Sequence, residues 1–378
     1  MRIAGSGIVF DTRTAPVNER SASSLSALAA SDGTLLVSMR LGSDREGPDG
    51  HTAVLASRDR GATWELRYLG LADRDWAGER GETRGWYLAE PEPGRIVASV
   101  LYVDRLDGRA AWVHPETQGL LPMSVWHLDS RDGGRTWTDR RRVDLAPWPG
   151  ASPTGELLVL PGGVLAQPFE HWKEYEDPAP GVPAAHLRLS RDGGRTWPDE
   201  VLVARDPANA VFSWDQRIAV HPVSGRLVAM FWTHEPARGL DRDVHISWAE
   251  PDGTGWTAPA PTGLPGQHCQ PIPLGGDRLA ALYTHRGAPA GIRVALSEDF
   301  GRTWDRAGEL ELYASEAGLD AGVGDARSAD EDWNVMGAWQ FGHPRGCLLP
   351  DGELFAAWYG GTGTTRPARW ARVAVDEG

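Results

Sequence analysis

The 378-residue chain has only two cysteines, Cys269 and Cys347. That is too few for a disulfide framework, so packing and hydrogen bonds must hold the fold. Its first residues, Met1 to Gly7, contain no apolar stretch of signal-peptide length, and the expected location is the reducing cytoplasm. No run approaches the roughly 18 apolar residues that a membrane-crossing helix needs, so no membrane partner is expected. Lys and Arg form no dense run, and the net charge is −14. A nucleic-acid binder needs a basic footprint to neutralise phosphates, which excludes that class of partner. Nor is there a close-spaced ligand motif such as His-x-x-x-His, so neither a metal site nor a cofactor is expected.

What is abundant is turn-forming and aromatic: 46 Gly, 28 Pro and 18 Trp. Many Gly and Pro imply many tight turns and short antiparallel strands rather than long helices. Self-similarity explains the pattern. Ser, Asp, Gly, Thr and Trp recur in one spacing at Ser57, Asp59, Gly61, Thr63, Trp64, and again from Ser130 to Trp137, Ser190 to Trp197 and Ser297 to Trp304. A degenerate copy runs from Ser247 to Trp256. Ser and Asp side chains can bond backbone groups across a turn, Gly supplies positive φ, and Trp offers a face to bury against a neighbouring sheet.

Six strand-turn-strand units also recur, with turns at Gly33, Gly94, Gly162, Gly225, Gly276 and Gly352. The repeat averages about 60 residues, which is four strands and the size of a propeller blade. The expected fold is therefore all-β, a six-bladed β-propeller with four antiparallel strands per blade, in one domain spanning residues 1–378. The last unit has no room for a fourth strand, and the segment around Ile8 has no hairpin partner. The N-terminal strand is expected to close the final blade and remove the open sheet edges.

The repeated motif resembles the Asp-box of the sialidase/neuraminidase superfamily, and the likeness extends over essentially the whole chain. It implies a carbohydrate-active enzyme, most simply an exo-acting glycoside hydrolase. In that family three Arg hold a substrate carboxylate, an Asp on the first blade is acid/base, and a Tyr activated by a Glu attacks. Carried over by position, the first Arg falls at Ser23, with Arg20 nearby, and the acid/base Asp falls near His51 and Asp49. The positions of the other two Arg read Trp232-Thr233-His234-Glu235 and His268-Cys269-Gln270, and Tyr359 stands at the position of the Tyr. The scaffold is matched and the Arg triad is not.

Blade geometry places the Asp-box turns on one face and the starts of the inner strands, the ends of the second strands and the loops that follow them on the other. The Asp-boxes are thus structural, and the opposite face gathers the candidate site. More than half of the 11 His fall there. The catalytic candidates are Glu170, Asp215, Glu235, His171 and Tyr359; a hydrolase needs a proton donor and a nucleophile or base. The substrate-binding candidates are Arg20, Arg40, His51, Arg217, His234, His268, Gln270, His285, Arg286 and His343. Flat aromatic faces and guanidinium forks suit a carbohydrate, including an anionic one. A polysaccharide lyase using His171, His234, His285 or Tyr359 with Arg286 is the alternative, and a non-catalytic carbohydrate- or protein-binding propeller is another. Long irregular segments at 71–83, 106–119, 173–183 and 314–335 are expected to overhang this face.

Overall fold

The computed structural model describes residues 1–70, 75–76, 79–105, 110–315 and 339–375. Six antiparallel sheets stand in a ring, and helix among the described residues is limited to two 3-10 turns. Blade one is Ser21–Ala29, Leu35–Gly42, His51–Ser57 and Glu65–Leu69, paired in that order from the axis outwards. Blade two is built on Glu79–Glu92, Arg95–Asp104, Met123–Ser130 and Thr138–Val143. In blade three the inner strand is split into Ser152–Pro153 and Leu158–Leu160, followed by Val164–His171, Ala184–Ser190 and Asp199–Ala204. Blade four comprises Phe212–Val220, Leu227–Glu235, His245–Ala249 and the short Ala260–Pro261. Blade five comprises Gln267–Gly275, Arg278–His285, Gly291–Ser297 and Asp305–Ala314.

Blade six has Phe341–Leu348, Leu354–Gly360 and Ala368–Ala374, and Arg2–Phe10 pairs antiparallel with the last of these. The N-terminal strand thus seals the ring, as the unpaired strand near Ile8 implies. Inner strands of neighbouring blades touch around the axis.

The core lies between blades. Six apolar clusters each join two neighbours; one packs Leu158, Leu187 and Leu189 of blade three on Ile218, Leu227 and Phe231 of blade four. Second strands such as Leu35–Gly42 are buried on both faces, so they read as continuous apolar runs rather than alternating ones. The outer strand Thr138–Val143 is largely exposed.

Each Asp-box closes its own turn. In the first, Gly61 N donates to Ser57 Oγ (2.7 Å), Ser57 Oγ donates to Asp59 (2.8 Å), and Thr63 donates to Asp59 through both N and Oγ1. The boxes at Ser130, Ser190 and Ser297 repeat this network. Their Trp residues pack on the preceding blade: Trp64 meets Phe355, and Trp197 meets His127.

Candidate active site

The axial cavity opens on the face opposite the Asp-boxes and encloses about 980 Å³ counting its mouth. Its floor has a common origin in all six blades. Each inner strand is irregular at the same level, so one residue per blade leaves the ladder and turns to the axis. The register shifts fall between Ser23 and Ser26, Thr83 and Gly85, Trp214 and Arg217, Gln267 and Cys269, and Gly342 and Arg345, while blade three breaks its strand instead. The residues delivered are Ser24, Arg84, Asp215, His268 and His343, and they line the cavity together with Pro153 of the broken strand. Ser24, Asp215, His268 and His343 hold positive φ of 48°, 52°, 31° and 48°. Such backbone is costly for a residue with a Cβ and gathers where function demands a fixed side chain.

Two carboxyls face the cavity from adjacent strands. Asp215 N donates to Glu170 Oε2 at 2.8 Å, leaving Oε1 to carry a proton. Burial, and then the neighbouring Asp215 charge, push the Glu170 pKa up to about 8. Burial alone would raise Asp215 as well, but His268 and Arg217 hold it well below the usual carboxylate range. Arg217 Nη2 donates to Asp215 Oδ1 (2.9 Å), and His268 Nε2 lies 2.7 Å from Oδ2. One carboxyl is kept protonated and the other ionised, the division of labour that acid/base chemistry requires.

The walls differ in character. Trp172, Trp214 and Trp232 line one side; Trp172 Nε1 donates to Gln118 O and Trp232 Nε1 to Asp241 Oδ1. Arg45, Arg84 and Tyr87 also line the cavity, with the Arg84 guanidinium 3.7 Å over the Trp112 ring. Behind them Glu82, fully buried, takes Arg40 (3.0 Å), Arg84 (3.2 Å) and Arg105. Burial opposes its charge, but Arg40, Arg84 and Arg105 together bring its pKa to about 2. Glu46 pairs with Arg45 (2.9 Å) and Arg84, so on this wall guanidiniums outnumber carboxylates.

Of the residues expected from sequence, Glu170, His171, Asp215, His268 and His343 meet in the cavity, with Arg217 directly behind Asp215. His171 is held neutral by burial, with its pKa near 4, and stacks on Trp148 at 4.3 Å. Tyr359 is fully buried, its ring 6.2 Å from that of His343, and is not part of the lining. Gln270 is deeper on the axis, accepting from Gly346 N at 2.8 Å. Arg286 lies with its guanidinium 4.0 Å over Trp339 and donates to Gln267 Oε1 and Phe341 O.

The remaining expectations are corrected. Glu235 is outside: the last inner-strand pair is Phe212 with His234, so Glu235 projects past it and pairs with Arg238 and Arg242 at 3.3 Å. His234 supports the wall from behind, stacked on Trp214 at 5.3 Å and bonded to Asp241 at 2.9 Å. Arg40 is committed to Glu82, His51 to Asp49 O and His285 to Pro289 O. Arg20 is exposed, and its backbone is engaged, N–H donating to Val17 O and O accepting from Arg366 N. Of the long segments, 173–183 is described and pairs beside 112–120 through Leu120 and Glu174; 71–83, 106–119 and 314–335 lie wholly or partly outside the described residues.

Arg45, Tyr87, Trp112 and Trp232 were not legible as site residues. Tyr87 and Trp86 show why: the irregularity between Thr83 and Gly85 shifts the alternation by one. Trp86 is consequently buried against Tyr68 and Trp137, and its neighbour faces the cavity.

Residues 95–316 match the family model described as a BNR repeat-like domain. A sialidase from Micromonospora viridifaciens is 28 % identical over 209 residues, covering 48 % of this chain and 31 % of that protein's length. Among solved structures, a protein of unknown function from Dyadobacter fermentans superposes with TM-score 0.73 at 18 % identity, covering 98 % of both chains. The intramolecular trans-sialidase of Ruminococcus gnavus gives 0.65 at 12 % identity, again over 98 % of both chains. The sialidase of Trypanosoma rangeli gives 0.64 at 13 %, covering 98 % of this chain and 60 % of that one. With six blades, four of them carrying a full Asp-box, and the ring closed by its first strand, the chain belongs to the BNR repeat-like family of the sialidase superfamily.

Proposed function

We propose that the chain is an exo-acting glycoside hydrolase whose proton donor is Glu170. The observation that carries this reading is the Glu170–Asp215 pair, with one carboxyl held neutral and the other held charged inside an aromatic-walled cavity. Glu170 Oε1 would protonate the departing glycosidic oxygen, while Asp215 supplies negative charge near the developing oxocarbenium ion. Trp172, Trp214 and Trp232 offer flat faces to a sugar ring, and Arg45 and Arg84 favour an anionic glycone. The cavity is closed below by six converging inner strands, which suits a chain end rather than a long polymer. The lyase reading loses His234 and His285, both committed outside the cavity.

A panel of aryl glycosides, including the sialoside, tests this reading. Release of phenol by the parent protein and its loss in Glu170→Gln is the expected result. Release of an ultraviolet-absorbing unsaturated uronide, or turnover indifferent to Glu170→Gln, would overturn it.

A further inference from the structure

Of the four floor residues at positive φ, three spend their side chains on the protein. Asp215 is taken by Arg217 (2.9 Å) and His268 (2.7 Å), and His343 Nε2 lies 3.3 Å from Arg45 Nη2. Ser24 is the exception. Its φ is 48° and it lines the cavity, yet among the described residues no protein group bonds its half-buried hydroxyl. The flanks impose the kink. Ser23 pairs with Arg40 and Ser26 with Ser38, so Ser24 and Leu25 face the single residue Met39, and Leu25 enters the core. Ser26 Oγ accepts from Leu88 N (3.0 Å) and pins the strand to the next blade. Glycine would take this φ without steric cost, whereas a residue with a Cβ is strained there. The chain keeps a hydroxyl at Ser24 and draws no protein contact from it, and strain of that kind points to a ligand.

Two further hydroxyls share that condition. Tyr87 of blade two lines the cavity with the Arg345 guanidinium 4.6 Å from its ring centroid. Ser152 of blade three also lines it and stands directly opposite Glu170 in the ladder, with both side chains on one face. Neither hydroxyl has a protein partner among the described residues. Gly85 keeps the space beside the phenol open, since a Cβ there would come within 3.2 Å of Tyr87 Oη. Blades one to three thus present uncommitted neutral hydroxyls, whereas Asp215, His268 and His343 of blades four to six each have a protein partner. A hydroxyl donates and accepts, as does each hydroxyl of a sugar, so the two match without desolvating a charge.

Resting on the hydrolase reading, we propose that Ser24, Tyr87 and Ser152 read the glycone: each binds a hydroxyl of the terminal sugar, and Ser24 is held in strained backbone for that contact. The substrate is then a sugar with free hydroxyls on the side turned to blades one to three and its scissile bond at Glu170. Ser152, opposite Glu170, meets the hydroxyl nearest that bond. The three residues determine specificity, and the transferred proton stays with Glu170.

Ser24→Gly and Ser24→Ala, made in the full chain, separate strain from contact. Ser24→Gly should raise the thermal midpoint by about 1–3 °C through relief of the left-handed backbone, and Ser24→Ala should leave it within about 1 °C. Both should raise KM about 3–10-fold with kcat within about threefold, the worth of one neutral hydrogen bond, on whichever aryl glycoside the parent turns over. Tyr87→Phe and Ser152→Ala are expected to do the same. For the monodeoxy analogue that lacks the contacted hydroxyl, parent and variant should agree in KM within about twofold, because the partner is already gone. A higher KM combined with a higher midpoint in Ser24→Gly is a pairing that a purely structural serine does not give. A lower midpoint in that variant, or KM within about twofold of the parent in both Ser24 variants, would overturn this inference and leave the hydrolase reading intact. Unchanged KM in both Tyr87→Phe and Ser152→Ala would also overturn it. No turnover of any glycoside by the parent would remove both readings.

Discussion

The two faces of the propeller use the same residue types in opposite ways. On the Asp-box face the Ser, Asp, Gly and Thr of each full repeat bond one another: Ser130 Oγ serves both Asp132 and the buried Gly134 N–H, and Asp132 takes Thr136 twice. The hydrogen bonds from Thr63, followed by that from Ser57, lower the pKa of Asp59 to about 2. On the axial face, Glu170 is forced toward neutrality, His268 and His343 keep a buried nitrogen without a protein partner, and four floor residues hold positive φ. Closed local networks build the ring. On the axial face the incompletely paired groups are titratable ones that line a cavity.

The sharpest way to break that contrast is Glu170→Gln. It should lower kcat/KM by about 10²–10⁴-fold on glycosides with poor leaving groups, the usual worth of a general acid, and less on activated aryl glycosides. The same variant has a stability signature. The folded protein holds the Glu170 proton up to about pH 8, whereas an unfolded Glu releases it near 4.3. Between those values the folded state binds more protons, so this group's contribution to stability falls as pH rises. Thermal midpoints of parent and variant should therefore diverge in favour of the variant from pH 5 to 8; parallel curves would contradict the raised pKa.

Glu82→Gln should cost about 3–5 kcal/mol in denaturant unfolding, because it leaves Arg40, Arg84 and Arg105 buried around a neutral group. On the other face, Ser130→Ala should cost about 1–3 kcal/mol by stranding the Gly134 N–H, with kcat/KM unchanged. A loss of turnover there would mean that the Asp-boxes are not purely structural. Least of all, Glu235→Gln should leave kcat/KM within about twofold and the thermal midpoint unchanged, as a solvent-screened pair with Arg238 and Arg242 implies.

Legibility followed the range of the interactions. The Asp-boxes were readable because Ser57, Asp59, Gly61 and Thr63 bond one another within a single turn. Glu170 and Asp215 were readable as strand-end carboxyls on the correct face, but Glu235 carried the same signal. It differs only in projecting one position beyond the inner strand. Arg45 belongs to the loop between Leu35–Gly42 and His51–Ser57, and nothing local marks it as a neighbour of His343, 298 residues away. His234 and His268 look alike as loop-proximal histidines. One stacks behind Trp214 and the other sits on the floor with Asp215.

By itself, then, the sequence determined the blade count, the closure by Arg2–Phe10 and the face that carries the cavity, because hairpin turns and strand lengths are short-range properties. Only the tertiary structure decided which polar residues meet. That choice depends on bulges that rotate one residue per inner strand toward the axis. A one-residue change of register exchanges cavity for core, as Tyr87 and Trp86 do. The partners that set charge and tautomer at Glu170, Asp215, His268 and His343 come mostly from different blades. Ring closure brings them together, and no local pattern encodes that meeting.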